Sequence, residues 1–270
     1  MISRLPAASA QTHGQNLGPT SPKIFNADVM KQTLKLLTSL SILFGCGSVT
    51  QSNHLTVIGG EEIAADEYPA VLAVLQPSGD PCSGTLVGPG TVLTAAHCSL
   101  AEGITVFGQA ATVVLREDDS GNAGEKDLAV LKIVASSAEH IEPIMIASDE
   151  PSFGATVTLV GFGRNQPGHG GELGIKRRGV NHLSSVDELL LITSTAADYA
   201  NLHRANIAPG DSGGPLLSEG RLIGVATGAS TEPGERIYGW FVNLASPASR
   251  EFLKKAESLG AVFAVPRSTH

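Results

Sequence analysis

From Val57 onward the chain alternates short apolar runs with turn residues, and this rhythm restricts the folds open to it more than any other feature. The runs include Val71–Leu75, Gly84–Val87, Thr91–Thr94, Leu128–Val134, Thr156–Val160 and Leu222–Ala226. Gly-Pro, Pro-Gly and Asp-Asp-Ser-Gly turns separate such runs, and the chain holds 31 glycines and 15 prolines. Short β-rich segments with frequent breakers predict an all-β sandwich or barrel. Helical periodicity is clear only from Pro247 to about Leu259, where Ser246 can cap, Pro247 suits the first turn and Gly260 suits the stop. No tandem repeat of fixed short period is present.

A hydrophobic fraction of 42% against 16% charged residues describes a folded chain. The formal charge of -8 argues against a nucleic-acid partner, because no basic face is available to displace counterions. Lys176-Arg177-Arg178 is the one basic cluster and reads as a solvated loop. Three cysteines allow at most one internal bridge and leave one thiol over.

Residues 31 to 46 have the layout of a secretory leader: Lys31 and Lys35, a short apolar run, then small residues. The run Leu36–Phe44 is too short to span a bilayer, which takes ~20 apolar residues. It ends in Leu43-Phe44-Gly45-Cys46, which resembles the lipobox of bacterial lipoproteins. That resemblance implies a lipid on Cys46 and attachment to a membrane; the alternative is ordinary leader cleavage between Gly45 and Ser48. A charged leader normally opens a chain, so Met30 is the expected start. Residues 1–29 are then disordered or a mis-assigned start, 30–46 the leader, and 47–56 a short propeptide or linker. The folded domain is expected over 57–260, with a tail at 261–270.

Four separated motifs carry the chemistry: Val57-Ile58-Gly59-Gly60, Thr94-Ala95-Ala96-His97-Cys98 preceded by Cys82-Ser83-Gly84-Thr85, Asp127-Leu128-Ala129-Val130-Leu131, and Gly210-Asp211-Ser212-Gly213-Gly214-Pro215. In this order they resemble the trypsin/chymotrypsin family of serine proteases over about Val57 to Leu253. The resemblance implies two antiparallel six-stranded β-barrels with a C-terminal helix and the active site between them. It implies the roles of that family's general template, with Ser212 as nucleophile and His97 as base and then acid. Asp127 would hold the second imidazole N–H. A serine hydroxyl needs such a base, being a poor nucleophile at neutral pH. The N–H groups of Gly210 and Ser212 would face the developing oxyanion.

The same resemblance implies a Cys82–Cys98 bridge, which an exported compartment permits. It implies that cleavage before Val57 frees an α-amino group that pairs with Asp211, making the chain a zymogen that an activating protease opens. The alternative is that Asp211 merely caps its turn and no processing is needed. Asn206 would stand at the base of the primary pocket, beside Thr227, Gly228 and Ala229. A neutral Asn cannot pair with substrate Arg or Lys, so small or medium uncharged side chains are expected, with Asp198 and Glu235 as candidates for a charge from elsewhere. The expected function is an exported serine endopeptidase acting on protein or peptide through an acyl-enzyme, without cofactor or metal. Its rivals are a catalytically silent binding module at a membrane surface and a narrow esterase or self-processing enzyme using the same triad.

Overall fold

Period-two burial explains why these runs settle as strands, and Arg177–Val186 shows it most plainly. Arg177, Gly179, Asn181 and Leu183 face inward, while Val180 and Ser184 face water. The computed structural model describes residues 57–99, 102–117, 124, 126–167, 170–196, 204–230 and 235–265. The leader, the start at Met30 and the lipid site at Cys46 lie outside the described residues.

In chain order the strands are β1 (Glu61–Glu62), β2 (Val71–Leu75), β3 (Pro81–Gly88), β4 (Thr91–Thr94), β5 (Thr105–Val106), β6 (Gln109–Ala110), β7 (Thr112–Glu117) and β8 (Leu128–Lys132). There follow β9 (Thr156–Gly161), β10 (Arg177–Val186), β11 (Leu190–Thr195), β12 (Pro215–Ser218), β13 (Arg221–Ser230), β14 (Ile237–Asn243) and one α-helix, α1 (Pro247–Ser258). The later strands form a sheet in the order β1-β10-β11-β14-β13-β12-β9, and an added β9–β10 pairing closes six of them into a barrel. β1 rides on the outside of that closure against β10.

The earlier strands run β6-β5-β2-β3-β4-β8-β7 and form a half-barrel. Its two edges, β6 and β7, flank Ala111 and are the halves of one bent stretch. The fold is therefore the expected mostly-β, trypsin-like arrangement, with one full closure and one partial one. Among the described residues no helix is long and apolar enough to cross a membrane.

The basic cluster departs from expectation. Arg177 and Arg178 open β10 instead of lying in a loop; Arg177 is 0% exposed, and Lys176 is buried too. Alternation along the strand forces this, because pairing Arg177 with Gly161 and Glu62 turns its side chain inward. Lys176 Nζ donates to the carbonyls of Ala65 and Tyr68, and burial lowers its pKa against the pull of Asp66 and Glu67.

The largest apolar cluster draws on both sheets and on the chain's end. Val71, Val87, Leu93 and Leu128 pack in it with Val160, Leu217, Val225 and Val242, and with Phe252, Leu253 and Ala256 of α1. The helix begins as the sequence predicts, with Ser246 Oγ accepting from Ser249 N–H at 3.1 Å and Pro247 in the first turn. Beyond it the chain docks on the first sheet: Ala264 N–H donates to the Val87 carbonyl at 2.7 Å and Val262 N–H to Thr91 Oγ1 at 3.2 Å. Ser246→Ala removes the cap and leaves a helical N–H unpaired, so it is expected to lower stability by about 1 kcal/mol, read from urea midpoints.

Candidate active site

His97 and Asp127 come from the first sheet. His97 lies on a single 3-10 turn (Ala96–Ser99) that follows β4, and Asp127 immediately precedes β8, the partner of β4. Their side chains meet because β4 and β8 pair side by side: His97 Nδ1 is 2.6 Å from Asp127 Oδ2, and His97 N–H donates to Asp127 Oδ1 at 2.9 Å. A carboxylate only accepts, so the ring proton sits on Nδ1 and Nε2 is left to act as a base. Asp127 is 1% exposed, which protects this pairing from water.

Thr227, on β13 of the second sheet, donates its hydroxyl to Asp127 Oδ2 at 2.6 Å. Thr227 Oγ1 itself accepts from Gly124 N–H at 3.0 Å. Sequence reasoning gave Thr227 a substrate-binding part alone and missed this bond, for which no local signal exists: the two residues are 100 positions apart.

The segment Gly210–Pro215 packs directly on the first sheet through Ser83. Ser83 N–H donates to the Ser212 carbonyl at 2.8 Å, and Ser83 Oγ donates to the Gly210 carbonyl at 3.1 Å. Phe162 N–H in turn donates to Ser83 Oγ at 3.1 Å, and Thr94 Oγ1 donates to the Ser83 carbonyl at 2.7 Å. The approach is so close at Gly213, whose φ is +80°, that a Cβ there would run into Thr94 Oγ1 and the Ser83 carbonyl. Ser83 appeared in the sequence only as the neighbour of Cys82.

Cys82 and Cys98 are bonded to each other, as the resemblance implied, and tie β3 to the turn that carries His97. Sulfurs of both cysteines and a ring nitrogen of His97 lie within 4.8 Å of one another. Because the sulfurs are spent in the disulfide, this trio offers a metal one imidazole and no thiolate. Ser212 is partly exposed beside this turn, and among the described residues its hydroxyl makes no hydrogen bond to His97. The N–H groups of Gly210 and Ser212 likewise donate to no protein acceptor among the described residues.

Asp211 points the other way, into the second barrel. Its carboxylate accepts from Gly163 N–H at 2.8 Å and Ala208 N–H at 2.9 Å. A Cβ at Gly163 would overlap that carboxylate. Burial raises the Asp211 pKa from its ordinary 3.8 to about 7, against the two N–H groups and the charge of Arg177. Val57 is 1% exposed and packs with Leu159, Leu183 and Ile207.

Asn206 is fully buried: Oδ1 accepts from Thr193 Oγ1 at 2.8 Å and Ile207 N–H at 3.0 Å, and Nδ2 donates to the Ile237 carbonyl at 3.1 Å. Next to it Ile207 packs in one apolar cluster with Ala229. Gly228 is partly exposed on β13, Glu235 is exposed, and Asp198 lies outside the described residues.

The family model described as Trypsin matches residues 57–249. A venom plasminogen activator of Agkistrodon piscivorus leucostoma is 26% identical over 67% of this chain and 79% of its own length. The snake venom serine protease PA of Trimeresurus stejnegeri is 28% identical over 69% of this chain and 84% of its own. Among solved structures, neuropsin, a serine protease of mouse brain, superposes with a TM-score of 0.59 at 20% identity. It covers 73% of this chain and 98% of its own, a likeness of fold. Both of these curated relatives are venom proteins by name and lend no support to a bacterial lipoprotein.

Two outcomes test this geometry. Thr227→Val strips a donor from a buried carboxylate and is expected to lower kcat per active site about tenfold, since a hydrogen bond to a charged group contributes ~1.5–3 kcal/mol. Asp211 has its folded pKa raised, so its contribution to stability is fully present below about pH 4 and lost as pH rises through about 7. Urea midpoints of the intact chain are expected to show that fall between about pH 4 and 7, relative to Asp211→Asn, which has no carboxyl to titrate.

Proposed function

The chain belongs to the trypsin family of serine proteases, and from that premise we propose that it is an exported serine endopeptidase that cuts protein or peptide substrates through an acyl-enzyme on Ser212. The observation that carries this reading is the buried Asp127 carboxylate, whose Oδ2 accepts hydrogen bonds from His97 Nδ1–H and the Thr227 hydroxyl at 2.6 Å each. With Nδ1 protonated, Nε2 takes the Ser212 proton as the oxygen attacks the scissile carbonyl. The imidazolium, stabilised by Asp127, then protonates the departing amine, and a water repeats the sequence to release the acyl group. The unpaired N–H groups of Gly210 and Ser212 would receive the oxyanion, a donor being worth ~10²–10³ in rate. Catalytic hydrogen bonds commonly tighten only around substrate, which accommodates a Ser212 hydroxyl not yet bonded to His97.

The finer reading is a zymogen opened before Val57. Val57 has φ +42°, a left-handed conformation that costs a β-branched residue ~1–3 kcal/mol. Cutting the preceding bond removes the carbonyl against which that strain is measured. The freed ammonium would give Asp211 the partner that a buried carboxylate lacks, with the side chain of Val57 already seated. The leader and the Cys82–Cys98 bridge support export. Attachment through Cys46 rests on Leu43–Cys46 alone. A neutral Asn206 with Ile207 and Ala229 beside it supports uncharged, small to medium substrate side chains.

A fluorophosphonate probe is expected to label the wild-type chain and to lose all labelling in Ser212→Ala. A peptide library is expected to show cleavage after uncharged residues. Absence of labelling in wild-type chain whose N-terminus has been shown to be Val57 overturns the protease reading in favour of a silent binding module.

A further inference from the structure

Arg177 is the largest fully buried side chain in the second barrel, and nothing in the triad requires it. Burying a guanidinium is costly unless its donors are used, and most of these are. Nη1 donates to the Gly163 carbonyl at 3.1 Å and to the Glu172 carbonyl at 3.3 Å. Nη2 reaches Glu172 Oε2 at 3.1 Å and Glu62 Oε1 at 3.4 Å, and Nε has no partner.

The bond to Gly163 leads to the active site through two peptides. The peptide that offers Gly163 C=O to Arg177 carries the N–H of Arg164 at its other end. That N–H donates to the Pro209 carbonyl at 3.0 Å. The Pro209 carbonyl belongs to the peptide whose N–H is that of Gly210. Guanidinium, peptide, peptide and oxyanion site thus lie in one line of donors and acceptors. Each link polarises the next and fixes its direction. Gly163 also donates its own N–H to Asp211, so two successive N–H groups, those of Gly163 and Arg164, hold the residue before the nucleophile and the Pro209–Gly210 peptide.

We propose that Arg177 is a positioning residue for the oxyanion site, holding the Pro209–Gly210 peptide with its N–H turned to the substrate through the Gly163–Arg164 peptide. The proposal rests on the serine-protease reading above. Arg177 touches neither substrate nor nucleophile. It works by restricting a peptide that could otherwise rotate and by adding positive charge at the far end of the hydrogen-bonded line. Glu62 of β1 shares the same guanidinium, so docking of the segment that follows Val57 is felt at the oxyanion site too.

The test compares wild type, Arg177→Met and Arg177→Lys, each counted by fluorophosphonate titration and assayed on the best peptide of the cleavage library. In Arg177→Met, kcat per titrated site is expected to fall at least about tenfold with KM nearly unchanged, because an oxyanion donor is worth ~10²–10³. Affinity for a peptide boronate, which presents a tetrahedral oxygen, is expected to fall by the same factor, and affinity for the uncleaved product peptide to stay level. Arg177→Lys keeps the charge without the fork and is expected to fall between the two. If the methionine chain does not fold, the lysine chain carries the same comparison. Unchanged kcat per site, or equal losses for boronate and product peptide, overturns the proposal while leaving the protease reading intact. A wild-type chain that neither reacts at Ser212 nor cleaves any peptide overturns that reading, and this proposal with it.

Discussion

Two sheets must be held in place to about 0.5 Å if side chains that belong to different ones are to work as one site. Two hydrogen-bonded seams do this. At the first, Ser83 of β3 binds the carbonyls of Gly210 and Ser212 and receives the Phe162 N–H. At the second, Thr227 of β13 reaches Asp127. Both are buried or nearly so, where a missing partner leaves a polar group stranded and alternative arrangements are correspondingly penalised. The seams therefore fix a relative placement that apolar packing alone would leave loose.

Much of this was legible in the sequence. Short apolar runs between breakers fixed the strand content, and Ser246-Pro247 with Gly260 marked α1 to within a residue. His97, Asp127 and the Gly210–Pro215 segment stood out because their neighbours are as constrained as they are: small residues must lie where backbone approaches backbone. What stayed hidden were the hydroxyl contacts that tie one sheet to the other. Ser83 and Thr94 are unremarkable hydroxyl residues until distant strands meet, and Thr227, expected only beside the substrate pocket, gains its bond to Asp127 in the same way. The cluster Lys176-Arg177-Arg178 was misread for a related reason. Charge alone says solvent, and only the pleat of β10 decides which arginine turns inward.

Asp211 and Arg177 illustrate how the second barrel tolerates polar groups in its interior. The carboxylate accepts from two backbone N–H groups, and the guanidinium divides its donors between two carbonyls and two carboxylates, so the two share a residue, Gly163, in place of a direct contact. Such an arrangement leaves the carboxylate only partly compensated, which is why burial dominates its pKa.

The last residues of the domain close the first sheet. Phe252, Leu253, Ala256 and Ala261 complete the cluster begun by Val71, Val87 and Leu93, and Ala264 bonds back to Val87. On a ribosome those partners are separated by nearly the whole length of the domain, and the helix is made last. The half-barrel thus emerges with an apolar face that nothing yet covers, the state in which nascent β-proteins are most prone to stick to one another. Assembly of the histidine-bearing half is thereby made to wait until α1 and the residues after it have been made, so a chain cut short before Pro247 would leave that apolar face open to aggregation.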